Sequence, residues 1–551
     1  MKKRSLFAPQ PIRNEAGGLA YTGTPKEALA QLASTSCLSN TLYCSAEKQL
    51  DQIQKFASQV DPDFVAKTAV FSREKFKMKD VPALLCVVLA ASSNPKSREL
   101  LRKIFPRVID NGDMLRNFFE MLRSGKIGRR SFGTVPRKLI IDWFNSRTPT
   151  EVFEQSVGTP STRDILRCVR PRPLDRSRSA MYAWFVGKVH EQTLLPTKVQ
   201  HFEQWKNGQT QELPNVPFQM LTNTKLSTDQ WTTIAQRAGW KWLLKNINNM
   251  IKHNVFKDHP EMVDFVAQRL SDRKSVQKAN TFPYQILTAY QNVKDAPQAI
   301  QKAFHVALDV ATENVPLLPE AKGGNPSAYL FVDVSKSMSF MVTGNRYGIG
   351  NRANTSMTRA DVGALIACSI LRKNTGSEIL LFNTKVVDKT IDPKVSVLEN
   401  STMISKMADG GTACSAPLHL LNEQGRYGDL VITVSDDQSW AESMGIDRFG
   451  NPLPANSPLL KDGKTAFQTE WERYKVRNPN AKLICIDIAP YTTKQVQKDK
   501  DVLNIGGFSD VVFDLCGSFA AGRMNPNHLV GVIENIDLDA TSLNRDMISE
   551  E

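Results

Sequence analysis

The residues best placed to do chemistry lie in Tyr329-Leu330-Phe331-Val332-Asp333-Val334-Ser335-Lys336-Ser337-Met338-Ser339, an apolar β-rich run that ends in Asp-x-Ser-x-Ser. The Asp333 carboxylate and the Ser335 and Ser337 hydroxyls are offset by two residues, so one tight loop can turn all three toward a point. Hard oxygen donors of this kind suit Mg²⁺, which prefers carboxylate, hydroxyl and water oxygens to nitrogen or sulfur. Asp409-Gly410-Gly411-Thr412 adds a glycine-enabled loop presenting a hydroxyl. Leu430-Val431-Ile432-Thr433-Val434-Ser435-Asp436-Asp437 adds a second apolar strand ending in carboxylates, of which Asp436 stands nearer the strand. Ligands of open α/β sheets bind beyond the carboxyl ends of the strands, where these three segments would meet. Alone, Asp-x-Ser-x-Ser also describes an ordinary helix cap; the ordered set is what points to a metal.

A second group of residues suits a polyanion. Residues 96–147 hold 13 Lys/Arg against 5 Asp/Glu. At their centre, Ser124-Gly125-Lys126-Ile127-Gly128-Arg129-Arg130-Ser131-Phe132-Gly133 forms a glycine-punctuated basic loop before a helix expected from about Pro136, which carries Arg137 and Lys138. Glycines allow close backbone approach to a phosphate, and a helix N-terminus adds amide donors. Phe132 is placed either to stack on a base or to pack in the core. A further run, Arg163, Arg167, Arg170, Arg172, Arg176 and Arg178, is entirely arginine, the residue of bidentate phosphate contacts and stacking. The flexible loop suits single strands and the helix-borne row suits duplex phosphates. Any one such residue is ordinarily just a solvated face; the clustering carries the inference. Trp231, Trp240 and Trp242 read as core, and Arg346 and Arg352 as surface-loop residues near the metal motif.

Composition narrows the alternatives. The 551 residues are 41% hydrophobic and 23% charged, as in ordinary globular proteins of two to four domains. No apolar run approaches the roughly 18 residues of a membrane span, and Met1-Lys2-Lys3-Arg4 is followed by no apolar signal core. The cysteines at 37, 44, 86, 168, 368, 414, 485 and 516 form no CxxC pair and read as buried thiols in a reducing cytoplasm. Phosphate-loop, zincin and serine-hydrolase motifs are absent from the sequence, so a noncatalytic binder is expected. A metal-dependent nuclease is disfavoured, because a hydroxyl-rich, carboxylate-poor site offers little to two-metal chemistry. The net charge of +14 is unevenly spread. Residues 319–551 carry 24 Lys+Arg against 28 Asp+Glu, whereas residues 1–318 carry 46 against 28. The polyanion partner therefore belongs to the N-terminal part.

The elements that must position these residues divide at the Pro/Gly-rich stretch Val315–Pro326. Before it, helical periodicity dominates: 47–60, 80–91 (Asp80 as cap, Pro82 in the first turn), 98–109, 136–146, 176–190, 227–238, 240–252, 260–271, 282–292 and 297–312. Short helices of similar length suggest an α-solenoid of HEAT-like pairs. After the stretch, strands at 328–333, 378–383, 429–435, 482–488 and 510–514 alternate with helices at 360–373, 415–424, 465–477 and 526–536. That is a doubly wound α/β domain, with insertions at 340–358 and 443–463, so the chain is expected to be α + α/β.

The metal motifs resemble the metal-ion-dependent adhesion site of von Willebrand factor A domains, which implies Asp333, Ser335, Ser337, Thr412 and Asp436 as the metal-site residues. A basic helical part followed by such a domain resembles the Ro autoantigen family in its bacterial form, whose helical part is the TROVE module. Arg137-Lys138-Leu139-Ile140-Ile141-Asp142-Trp143-Phe144-Asn145, Asp164-Ile165-Leu166-Arg167, Thr281-Phe282-Pro283-Tyr284-Gln285-Ile286-Leu287 and Gly410-Gly411-Thr412-Ala413-Cys414-Ser415-Ala416-Pro417-Leu418 carry the resemblance. It implies a TROVE module at 1–318 and an A domain at 319–551. It further implies a ring that takes single-stranded 3′ ends of misfolded noncoding RNA in its hole and small structured, Y-like RNA outside. By the same resemblance, an exoribonuclease is a partner and an acidic protein docks at the metal site. One departure is Arg170, which stands where animal members place a histidine used in Y RNA binding; arginine keeps phosphate binding but loses the titratable ring. The RNA-binding set expected is Lys126, Arg129, Arg130, Phe132, Arg137, Lys138, Arg163, Arg167, Arg170 and Arg172. The alternative is an A-domain adhesion or ATPase-adaptor protein on a helical scaffold, which has no need of the basic excess.

Overall fold

A period near 3.6 governs the first three hundred residues, and helices follow from it wherever a cap is at hand. The computed structural model describes residues 11–38, 45–128, 131–221, 224–279, 281, 283–293, 295–320, 324–342, 357–441, 464–489, 491–507, 511–524 and 528–540. Their compact units interleave along the chain: one draws on 1–59, 239–251 and 260–535, the other on 60–238, 252–259 and 536–551.

The second unit is helical. Asp61 accepts from the Phe64 amide and starts helix Pro62–Glu74; Asn111 accepts from the Met114 amide and starts helix Gly112–Ser124. Reciprocal capping boxes, Thr148 with Glu151 and Ser161 with Asp164, start helices Pro149–Glu154 and Thr162–Val169. Helix Asp80–Ala91 is buried on nearly every side, as its apolar composition requires. Its cap differs from expectation: Lys79 occupies the N-cap and Asp80 is the first helical residue. A terminal shift of one residue is within the ordinary ambiguity of helix ends.

The first unit is built on a six-stranded sheet. After β1 (Ile12–Arg13) and β2 (Leu19–Thr22) come β3 (Tyr329–Asp333), β4 (Glu378–Phe382), β5 (Val386–Val387), β6 (Leu430–Ser435), β7 (Lys482–Asp487), β8 (Thr493–Lys494) and β9 (Val502–Gly506). The sheet order is β5-β4-β3-β6-β7-β9, parallel except for β5. β3 and β6 are buried along their whole length, as a parallel sheet covered on both faces demands. Helix Arg359–Lys373 is buried from Arg359 through Leu371. Tyr329, Phe331, Val431 and Leu483 of the strands form a core with Leu418, Trp471 and Tyr474 of helices Ala416–Glu423 and Ala466–Arg477. Of the strand expected at 510–514, residues 511–514 are instead part of helix Val511–Ala520 and residue 510 lies outside the described residues; the edge strand is β9. A short apolar run such as Val511-Val512-Phe513 fits a buried helix or a strand equally, while Asn504 and Gly506 disguised the true strand.

The N-terminal residues join the first unit. β1 pairs with β2, and β2 pairs with β8, both antiparallel. Helix Pro25–Thr35 then packs on β9 and on helix His528–Glu534.

Candidate metal centre and basic face

Parallel register lines up the strand ends that matter. Val332 is level with Val434, so Asp333 stands beside Ser435; Ser435 is level with Asp487, and Asp487 with Gly506. The strand order also reverses here, since the chain leaves β3 toward β4 and later returns to β6 on the other side. Such a switch point is where doubly wound sheets open a crevice for ligands.

Asp333, Ser335 and Asp436 are each 0% exposed, Thr412 is 2% and Ser337 7%. The Ser335 amide donates to Asp333 Oδ1 at 2.8 Å, and the Ser435 hydroxyl donates to Asp333 Oδ2 at 2.6 Å. The Ser335 and Ser337 hydroxyl oxygens lie 3.0 Å apart. Neighbouring oxygens of an octahedral Mg²⁺ shell with bonds of 2.0–2.1 Å stand about 2.9 Å apart, so this pair fits one ion without rearrangement. The Thr412 loop is fastened to both neighbours. The Lys336 amide donates to the Gly410 carbonyl at 3.0 Å, the Asp409 amide to Val334 at 2.8 Å, and the Trp440 and Ala441 amides both to the Thr412 carbonyl at 3.1 Å. Gly410 takes φ +79°, and a Cβ on Gly411 would stand 2.6 Å from the Trp440 ring. Both glycines are thus required for Thr412 to reach the site.

The carboxylates differ in their partners. Asp436 Oδ2 accepts from Arg359 Nη1 at 2.7 Å, a pair wholly buried on both sides. Asp437, 4% exposed, adopts φ +54°, and its carboxylate has no hydrogen-bond partner among the described residues. Asp487, 2% exposed, accepts from Gln31 Nε2 at 2.8 Å and from the Ala489 amide at 2.8 Å. Gln31 fits because Gly506 has no side chain: a Cβ there would lie 2.7 Å from the Gln31 amide. Burial first, and neighbouring aspartates second, push Asp333, Asp437 and Asp487 well above the ordinary carboxylate range. Buried carboxylates short of cations favour a metal ion. Among the described residues no three carboxylate, imidazole or thiol side chains form a cage. Any ion would therefore rest on hydroxyls and water beside one or two carboxylates, which suits Mg²⁺.

Sequence reasoning missed Arg359, Ser435, Gln31 and Asp487. Asp487 carried the same signal as Asp436, a carboxylate closing an apolar strand; Arg359 carried none.

In the other unit, the basic runs adjoin. Arg123, Lys126, Arg137, Lys138, Arg163, Arg167, Arg170 and Arg172 are all exposed. Arg137 Nε donates to the Val169 carbonyl at 3.0 Å, joining helix Thr134–Asn145 to the end of helix Thr162–Val169. Asp164 is held below the ordinary carboxylate range by Ser161 first, then by Arg167 and Arg123 together, so helix Gly112–Ser124 reaches the same face. Arg170 caps its helix in the left-handed region at φ +49°. Phe132 is half-buried, its ring 5.0 Å from that of Phe119. Arg129 and Arg130 lie outside the described residues, as do Arg346 and Arg352. Arg178 is structural: its guanidinium donates to the carbonyls of Phe144, Asn145 and Arg147.

The TROVE domain family matches residues 212–322 and the Ro60 vWA domain family residues 328–446. The chain is 21% identical to the RNA-binding protein RO60 of Deinococcus radiodurans over 553 aligned positions, covering 93% of this chain and 96% of that protein. The crystal structure of the Deinococcus radiodurans RO (RSR) protein superposes with a TM-score of 0.61 at 15% identity, over 91% of this chain and 100% of that one. The basic face at 123–172 precedes the TROVE match. No helix among the described residues is long and apolar enough to cross a membrane.

Proposed function

We propose that this chain, which matches the TROVE and Ro60 vWA domain families, is an RNA-binding protein of the Ro type whose helical part at 1–318 takes small structured, Y-like RNA and the single-stranded 3′ ends of misfolded noncoding RNA. The supporting observation is the joined basic face, where Arg123, Arg137 and Arg167 from three helices share one surface and the acidic group among them, Asp164, is engaged by Ser161. Backbone phosphates are its natural ligands, because exposed arginines offer planar forks at low desolvation cost. The set proposed is Lys126, Arg129, Arg130, Phe132, Arg137, Lys138, Arg163, Arg167, Arg170 and Arg172. The role is noncatalytic, in RNA quality control or processing in the cytoplasm, with an exoribonuclease as the partner that would act on bound RNA.

The A domain at 319–551 is proposed to hold Mg²⁺ through Asp333, Ser335, Ser337 and Thr412, with Asp436 or the unpartnered Asp437 completing the charge. Mg²⁺ keeps several waters, which leaves a position for a carboxylate brought by another protein. This adhesion reading explains the site, whereas the basic face favours RNA as the main ligand.

A filter-binding titration with a structured RNA bearing a single-stranded 3′ tail tests the principal reading. Nanomolar-to-micromolar retention that falls at least about tenfold on joint charge reversal of Arg137 and Arg167 is expected, since several phosphate contacts are lost together. Retention unchanged by that reversal would refute the assignment of this face.

A further inference from the structure

Arg359 is the first residue of helix Arg359–Lys373, and its position is dictated by the metal-motif loop itself. Its amide donates to the Phe340 carbonyl at 2.9 Å, just beyond Asp-x-Ser-x-Ser, and a bridge between Met341 and Thr358 closes the same turn. The Thr358–Asp361 capping box then fixes the helix start. From there the side chain runs inward to 0% exposure. One arm of the guanidinium reaches Asp436 Oδ2 at 2.7 Å and the other the Tyr491 hydroxyl at 3.0 Å, with the cation 5.4 Å from the Tyr491 ring centre. Its Nε is buried without a partner. Leaving a buried donor unsatisfied is costly, so this arginine is not there for packing alone.

The charges around it are lopsided. Asp333, Asp436, Asp437 and Asp487 are all 4% exposed or less, and Arg359, itself 0% exposed, is paired with one of them, Asp436. Lys494 stands at the rim and is shared with Glu27. An arginine does not shed its proton in a protein, so its charge is permanent whether or not a metal is bound.

We propose that Arg359 is a positioning residue for the metal centre: a resident cation that holds Asp436 in a fixed ion pair, keeps the carboxylate cluster folded without metal, and weakens divalent binding to a readily reversible range. The proposal rests on the metal-site reading above. Taking away a fixed positive charge a few ångströms from the ion strengthens binding of any cation, by at least about tenfold at an effective dielectric near 20. A purely structural arginine would have the opposite effect, because its loss would loosen the site.

The test uses the full-length chain and MnCl₂ or MgCl₂ alone as the probe, with calorimetric titration and thermal unfolding in chelator and in saturating metal. Arg359→Met should bind Mn²⁺ at least about tenfold more tightly than the unsubstituted protein and gain more in unfolding temperature from metal. Arg359→Lys, which retains the charge, should stay within about threefold. Adding Asp436→Asn to Arg359→Met should remove both the instability and the affinity gain. Should Arg359→Met be unfolded in chelator, recovery on adding Mn²⁺ supports the proposal; failure to recover with Mn²⁺ or with Asp436→Asn overturns it. Unchanged or weaker Mn²⁺ binding by a folded Arg359→Met, while Asp333→Ala still abolishes binding, also overturns it. If the unsubstituted protein and Asp333→Ala both take up no Mn²⁺, it is the metal-site reading that fails, and this inference falls with it.

Discussion

At the residue scale, the proposed metal centre depends on oxygens that the fold has already oriented. Asp333 is held by the Ser335 amide and the Ser435 hydroxyl, one bond to each carboxylate oxygen, so a free lone pair on each remains for an ion. Asp333→Ala is accordingly expected to abolish Mg²⁺ and Mn²⁺ uptake in calorimetry on the full chain, whereas Thr412→Ala, which removes one neutral donor, should only weaken it. Gly411→Ala is a sharper probe of geometry. Its Cβ would stand 2.6 Å from the Trp440 ring, and overpacking of this kind costs about 1–3 kcal/mol. Reduced stability in urea unfolding, together with weaker metal uptake, is the expected result; a fully stable variant with intact uptake would show that the loop is free to move. Asp-x-Ser-x-Ser, Gly-Gly-Thr and the strand-end aspartates were legible in the sequence because each motif announces itself locally. Ser435, Gln31 and Arg359 were not, because each reaches the site through register or through a contact across 102, 456 or 77 residues, respectively.

At the element scale, some helix boundaries in the first three hundred residues followed closely from period and caps: 240–252 was expected and Trp240–Lys252 is found, whereas the helix expected at 176–190 ends at Val186 and that expected at 98–109 begins at Pro95. The fifth strand was misplaced because Val511–Ala520 is buried enough to lack an amphipathic stripe, so its period could not speak. What no local pattern foretold is the docking of helix Pro25–Thr35 on the sheet some 450 residues later. Glu27 anchors it through Lys494 and Lys498, each at 3.2 Å. Burial raises the Glu27 pKa, but the two lysines more than offset this, leaving it below the ordinary carboxylate range. A depressed carboxylate contributes stability that is complete above its unfolded value, about 4.3, and lost as pH falls through the folded value. Hydrogen-exchange protection of residues 25–35, taken relative to the intrinsic amide rate at each pH, should therefore hold from neutral pH down to the unfolded carboxylate value of about 4.3 and fall as pH drops below it. Glu27→Gln should show less protection at neutral pH and lose that acid step. An identical pH profile in both proteins would mean the ion pairs do not hold the helix.

At the scale of the whole molecule, the proposed metal residues and the basic face belong to different compact units, and the charge is divided in the same sense along the sequence. RNA affinity should accordingly depend on salt and on the basic face, and not on the metal. Each phosphate neutralised on a single strand contributes about −0.7 to the slope of log affinity against log salt. A face that presents Arg123, Arg137, Arg163 and Arg167 together should give a slope steeper than about −2, and reversal of Arg137 and Arg167 should flatten it. Because Arg123, Arg137 and Arg167 share one face, that reversal should weaken tailed and blunt structured RNAs alike; loss confined to one of them would restore two separate surfaces. Asp333→Ala should leave both the affinity and the slope within about twofold, since it removes no cation from the phosphate path. A large fall in RNA affinity with Asp333→Ala, reversed by no change of salt, would place the metal in the RNA site and overturn the division of labour. RNA cleavage that disappears with the same substitution would go further, and make the centre catalytic.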